Sequence, residues 1–125
     1  MKINALVLGS GIASMAYTSV LDFNKIKTLV VGSPYDHKNI KNYKKYKKNK
    51  FFNINFSNNI NFYFNSEINL IESKSIDLII IGTNTKGINW VIEILNKLRN
   101  DCPVLLITKG IAQINNKIIP ISEYI

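Results

Sequence analysis

Three short stretches of this chain carry residue types that suit chemistry. The first is Gly9-Ser10-Gly11-Ile12-Ala13-Ser14, which follows an apolar run and opens a segment of helical character. A strand that turns on glycine into a helix is built to receive phosphate. Gly9 permits the tight turn, and Gly11 lacks the Cβ that would block an approaching pyrophosphate. The helix then offers unpaired N–H groups and its positive end. In that context the pattern reads as the pyrophosphate cradle of a dinucleotide, not as a glycine turn that serves only the backbone. Ser14 stands where the pattern prefers Gly or Ala, so a slightly wider helix–strand approach is expected there.

The second stretch closes the next strand. A carboxylate about 20 residues past the glycines ordinarily binds the ribose 2′-hydroxyl. Here the position reads Gly32-Ser33-Pro34, and the first acid is Asp36. No carboxylate is expected to repel a 2′-phosphate, while Ser33, His37 and Lys38 could accept one. Either NAD or NADP is therefore expected as cofactor, with NADP(H) permitted and NADPH expected to bind at least as tightly as NADH. His37, the only histidine, falls at the adenosine end and reads as a surface residue, not a catalytic one.

The third pair of stretches, Gly82-Thr83-Asn84-Thr85 and Thr108-Lys109-Gly110, ends two further strands that open on the same crevice. A lysine at the end of a buried strand, with a glycine behind it, can overhang the nicotinamide end of the crevice. Its ammonium suits an anionic substrate and negative charge developing on a substrate oxygen. The competing reading is a lysine that merely snorkels to water.

Positioning these stretches requires strands alternating with helices. Apolar runs closed by Gly, Thr or polar residues predict strands over 3–8, 28–31, 60–64, 77–81 and 104–108. Runs apolar on both faces imply parallel strands covered on each side. Helices are predicted over 12–23, 36–48 and 86–100, with a short turn near 67–73. In the last helix Ile88, Val91, Ile92, Leu95 and Leu98 recur at helical spacing; Thr85 reads as its N-cap, and Asp101-Cys102-Pro103 stops it. The stretch 51–64 alternates Asn and Phe loosely and reads as an irregular loop feeding an edge strand. The whole predicts one α/β domain over 1–125, a Rossmann-type doubly wound parallel sheet of order 3-2-1-4-5.

Composition agrees with this class. The 125 residues are 46% hydrophobic and 19% charged, globular proportions for a single domain. The net charge of +8 owes much to Lys38, Lys41, Lys44, Lys45, Lys47, Lys48 and Lys50. This cluster reads as a solvated helix face, and no nucleic-acid partner is expected. No apolar run is long enough to span a bilayer, no membrane partner is expected, and the N-terminal run reads as a strand, not a signal peptide. Cys102 is the only cysteine; no internal disulfide is possible, a cytoplasmic setting is expected, and the thiol reads as inert. No metal site is expected.

From Lys2 to Ile125 the chain resembles the N-terminal domain of NAD(P)-dependent glycerol-3-phosphate dehydrogenases. The anchors are Leu8 through Ser14, Val30-Val31-Gly32-Ser33, Asn49-Lys50-Phe51-Phe52, Ser75-Ile76-Asp77-Leu78-Ile79-Ile80-Ile81, the segment 102–111 containing Thr108-Lys109-Gly110, and Ile121-Ser122-Glu123-Tyr124-Ile125. The resemblance implies that the loop of Gly9, Ser10, Gly11, Ile12, Ala13 and Ser14 holds the cofactor. The phosphates rest on the backbone of Gly11, Ile12 and Ala13, and Thr83 belongs to the same site. Ser33 would contact the adenosine ribose or its 2′-phosphate. Lys109 would be the catalytic residue of this chain, reaching both cofactor and a small phosphorylated substrate. Ser14, Ser33 and Thr83 depart from the family's usual glycine, basic or His residue, and proline.

The family's proton-accepting lysine and most of its substrate pocket belong to a C-terminal helical domain beyond these residues. The stretch 118–125 reads as a helix beginning at Pro120 and cut short, so the chain is expected to be a fragment that is inactive alone. Two other readings stand beside this one. They are a free-standing dinucleotide-binding module without catalysis, and the N-terminal domain of a sugar-type oxidoreductase, whose strand five usually closes with Glu-Lys-Pro.

Overall fold

The computed structural model describes residues 2–98, 101–108, 111–114 and 117–120. Five parallel strands form the main sheet, in the order β5-β2-β1-β6-β7. They are β1 (Asn4–Leu8), β2 (Lys27–Val31), β5 (Ile60–Tyr63), β6 (Leu78–Ile81) and β7 (Val104–Leu106). Counted along the sheet alone, this is the expected 3-2-1-4-5. The helices are α1 (Ile12–Phe23), α2 (His37–Tyr46) and α3 (Ile88–Leu98). Register runs from Asn4 opposite Lys27 to Leu8 opposite Val31, and from Ala5 opposite Leu78 to Leu8 opposite Ile81. Strands β1, β2 and β6 therefore end level, and the loops that follow them share one rim.

Alternation along β1 divides the core in two. Leu6 and Leu8 face a cluster with Ile79, Ile81, Trp90, Val91, Ile94 and Leu98. Ala5 and Val7 face the opposite cluster, with Met15, Leu21, Val30, Ile40 and Ile80. Burying each such Leu or Ile stabilises the fold by about 1.5–3 kcal/mol relative to exposure. Helix α3 covers the first face and helices α1 and α2 the second. The buried stripe of α3 is Ile88, Trp90, Val91, Ile94 and Leu98, rotated from the expected one. Trp90 and Ile94 take the places assigned to Ile92 and Leu95, because Trp90 packs into the core and its indole N–H donates to Asn65 Oδ1.

Other boundaries also shift for identifiable reasons. Helix α2 ends at Tyr46 because Lys47 adopts the left-handed conformation (φ 49°) as its C-cap. The stretch expected as an irregular loop contains an antiparallel hairpin, β3 (Lys48–Asn49) with β4 (Ile54–Asn55), before edge strand β5. Its turn is held by Asn49, whose Oδ1 accepts the Phe52 N–H at 3.0 Å. The short turn near 67–73 becomes two 3₁₀ turns, Asn65–Leu70 and Ser73–Ser75. Asn84, not Thr85, is the N-cap, because the 3₁₀ turn Thr85–Gly87 precedes α3 and moves the cap back one residue. Pro120 does not begin a helix. It closes β9 (Lys117–Pro120), which pairs antiparallel with β8 (Ile111–Ile114), so a two-stranded ladder satisfies this backbone up to residue 120. The remainder of the expected helix, 121–125, lies outside the described residues.

Candidate functional site

The rim where β1, β2 and β6 end holds a cavity of about 570 Å³. Ser10, Gly11, Ile12 and Ala13 form one wall, Ser33, Tyr35 and Asp36 another, and Gly82 to Thr85 with Ile107 and Thr108 the third. The glycine loop, the end of strand two and the ends of the two later strands are thus brought together as the sequence predicts.

The two glycines of the loop have different causes. Gly9 has φ +108°, and a Cβ there would lie 3.0 Å from the Thr83 backbone nitrogen. The chain itself demands glycine at that turn. Its N–H donates to Val31 O at 2.8 Å, tying the loop to β2. Gly11 is extended (φ −73°, ψ −176°), and a Cβ there would meet nothing within 4 Å. No contact among the described residues requires glycine at 11, so the vacant volume is usable by a ligand. Gly11 is also the N-cap of α1, makes no side-chain capping bond, and no acid stands in the first turn. The positive end of that helix is left without an internal counter-charge.

Two hydroxyls, one in the first wall and one in the third, lack partners among the described residues. Ser10 Oγ and Thr83 Oγ1 are buried, in residues only 3% and 7% exposed, and neither has a hydrogen-bond partner. A buried polar atom without a partner costs about 1–3 kcal/mol, which a ligand carrying acceptors can recover. The open space over Gly11, the uncapped helix and the orphan hydroxyls together fit a dinucleotide pyrophosphate.

Ser14 occupies a tighter place than its size suggests. It is fully buried and its Oγ donates to Gly82 O at 3.0 Å. A Cβ on Gly82 would lie 2.0 Å from that oxygen. The small residue needed for close packing has in effect moved across the contact, from the helix to Gly82, just after β6. Thr108 performs a similar joining role, donating from Oγ1 to Thr83 O at 2.6 Å and so linking the ends of β6 and β7.

Neither a protein-family model nor a curated protein sequence matches this chain. Solved structures do. A glycerol-3-phosphate dehydrogenase from Coxiella burnetii superposes with a TM-score of 0.71 at 20% identity, over 89% of this chain and 34% of its own. A D-mandelate dehydrogenase, solved with NADH and anilino(oxo)acetate, gives 0.65 at 18% identity, over 88% and 35%. A 1-pyrroline-5-carboxylate reductase from Streptococcus pyogenes gives 0.51 at 19% identity, over 89% and 36%. The fold is Rossmann-type. The chain spans about a third of the length of the structures it matches.

Within this Rossmann-type fold the strand-two end differs from expectation. Asp36 is placed against the cavity after all: its Oδ2 accepts the Ser33 N–H at 2.9 Å. Pro34 and Tyr35 fold the chain back so that a residue three positions on returns to the strand end. Ser33 Oγ accepts the Tyr35 N–H at 3.2 Å, completing the turn. His37 turns the other way, stacking on Phe64 at 4.6 Å beside a separate cavity, as suits a surface residue. Asp36 was legible in the sequence only as the first acid after β2; the turn that returns it was not.

Lys109, the residue expected to carry catalysis and substrate binding, lies outside the described residues, as does Gly110. The lysines of α2 and the hairpin are largely exposed, Lys44 pairing with Glu67 Oε1 at 2.5 Å and lying 4.5 Å over the Phe64 ring. Burial pushes the Cys102 thiol above its ordinary range, which suits an inert group. Among the described residues there is no cluster of His, Cys, Asp and Glu fit to hold a metal, and no helix long and apolar enough to cross a membrane.

Proposed function

We propose that this chain is the NAD(P)H-binding domain of a glycerol-3-phosphate dehydrogenase, which interconverts sn-glycerol 3-phosphate and dihydroxyacetone phosphate by hydride transfer. The observation that carries the dinucleotide part is the cradle itself: unfilled space over Gly11 at an uncapped helix N-terminus, flanked by two buried hydroxyls without partners. The structural likeness to a glycerol-3-phosphate dehydrogenase and to a D-mandelate dehydrogenase solved with NADH supports the same reading. The substrate part is supported by Thr108-Lys109-Gly110 and by the resemblance already drawn.

In this reading the backbone of Gly11, Ile12 and Ala13 holds the pyrophosphate, and Ser10 and Thr83 lend their hydroxyls. Thr108 fixes the end of β7 to the end of β6. Lys109 then offers its ammonium to the substrate phosphate and to charge developing on the carbonyl oxygen. The bound nicotinamide supplies or accepts the hydride. Proton transfer and enclosure of the substrate belong to a further helical domain.

The test has two parts. The 125-residue chain alone binds reduced dinucleotide but does not turn over dihydroxyacetone phosphate. The protein encoded by the complete reading frame does turn it over, and in it Lys109→Met lowers kcat/KM by at least ~100-fold with folding intact. A loss below about threefold assigns Lys109 to the solvated surface and removes the main support for this substrate. A reading frame that ends at residue 125 favours a free-standing binding module instead.

A further inference from the structure

We infer that Asp36 makes this cavity selective for an unphosphorylated adenosine ribose, so that the chain takes NAD(H) in preference to NADP(H). The inference rests on the dinucleotide reading of the cavity and goes beyond it by naming which dinucleotide. Three observations on one turn carry it. Among the described residues that line the cavity, Asp36 alone bears a charged side chain. Its carboxylate is held at the end of β2 by the Ser33 N–H at 2.9 Å. That same bond consumes the Ser33 backbone donor, which leaves only the Ser33 O–H on this residue to meet a 2′-phosphate, while its oxygen accepts the Tyr35 N–H.

The nearer basic groups do not line this cavity, and Lys48 and Lys50 line the one on the other flank of the glycine loop. His37 stacks on Phe64 and lines a different cavity, and Lys38 is exposed and not among the lining residues. A phosphate carrying nearly two negative charges would therefore meet a fixed negative charge at close range with no described cation to balance it. A ribose 2′-hydroxyl meets an acceptor instead, and can donate to the carboxylate oxygen. Charge-assisted bonds of this kind are stronger than neutral ones, and like charges at contact distance repel. The selectivity inferred is opposite to the expectation from sequence that NADPH binds at least as tightly as NADH.

The experiment is isothermal titration of the 125-residue chain with NADH and with NADPH, in parallel with Asp36→Asn. Asparagine keeps an acceptor for the Ser33 N–H and removes only the charge. The parent is expected to bind NADH at least ~10-fold more tightly than NADPH, and Asp36→Asn to narrow that ratio to about threefold or less, chiefly by gaining NADPH. Raising ionic strength provides a second readout on the unmodified chain, since screening of the repulsion should shrink the ratio even if the variant fails to fold. Equal binding of the two cofactors, or tighter NADPH, overturns the selectivity while leaving the dinucleotide reading standing. Binding of neither overturns both.

Discussion

Strands β1 and β7 belong to one sheet and are both aliphatic, yet they lead opposite lives. Ala5, Leu6, Val7 and Leu8 are all fully buried, whereas Val104 and Leu105 of β7 are 46% and 41% exposed. Composition therefore does not decide burial here. Strand β1 lies between β2 and β6, with α1 closing one face and α3 the other. Among the described residues strand β7 pairs only with β6 in the main sheet, and β8 and β9, which follow it, form a separate ladder. The part of the sheet from β1 to α2 thus supplies two walls of the cavity on a closed core, and the ends of β6 and β7 supply the third. The part that ends in β7 presents an edge whose apolar residues are half uncovered, a feature that folded proteins ordinarily manage by covering the strand.

The largest effect is expected at the glycine loop. Gly11→Val should abolish dinucleotide binding, since a branched side chain would fill the space over the helix end, while circular dichroism stays nearly unchanged because nothing within 4 Å opposes it. Retained NADH binding in this variant, measured by calorimetry, would remove the glycine loop from the phosphate site. Next in size is a contrast between strands. Ile80→Ala, a truncation in a residue 2% exposed, should cost about 3 kcal/mol in urea unfolding, while Leu105→Ala should cost under about 1 kcal/mol. Equal losses would mean that β7 is as closed as the rest.

The smallest effect expected concerns the tie between α2 and the turn after β5. The Glu67 carboxyl is held below its usual range, first by the hydrogen bond from Lys44 and then by the Phe64 N–H. A carboxylate lowered in the folded state contributes stability above its unfolded-state pKa and loses it as pH falls through the folded-state value. Glu67→Gln should therefore cost about 0.5 kcal/mol near neutrality, as for an exposed pair, and the difference from the parent should vanish on acidification. A difference that grows toward low pH would reverse the assigned sign.

Legibility in the sequence followed the same division. The glycine loop, α1 with both its ends, and the order of the five strands could be read from glycine spacing and from aliphatic runs, because those features act locally or repeat with a fixed period. What could not be read depends on residues meeting across distance. The hairpin β3–β4 rests on Asn49 capturing its own turn, and nothing in a loose Asn and Phe alternation announces that. The stripe of α3 was rotated because Trp90 found Asn65, a partner 25 residues away. Asp36 read as too far along the chain to reach the strand end, until a turn through Pro34 and Tyr35 returned it. The orphan hydroxyls of Ser10 and Thr83 had no sequence signal beyond their place beside glycines.

Amide chemical shifts during an NADH titration report whether the cavity over the glycine loop receives the dinucleotide. A second cavity of about 620 Å³ lies on the other flank of the loop, lined by Tyr43, Tyr46, Lys48 and Lys50, and offers a clear alternative for an anionic ligand. Binding at the proposed site should move the amides of Gly11, Ile12, Ala13, Ser33 and Thr83 together, and leave those of Lys48 and Lys50 nearly in place. Shifts concentrated at Lys48 and Lys50, with Ser33 and Thr83 unmoved, would contradict the account.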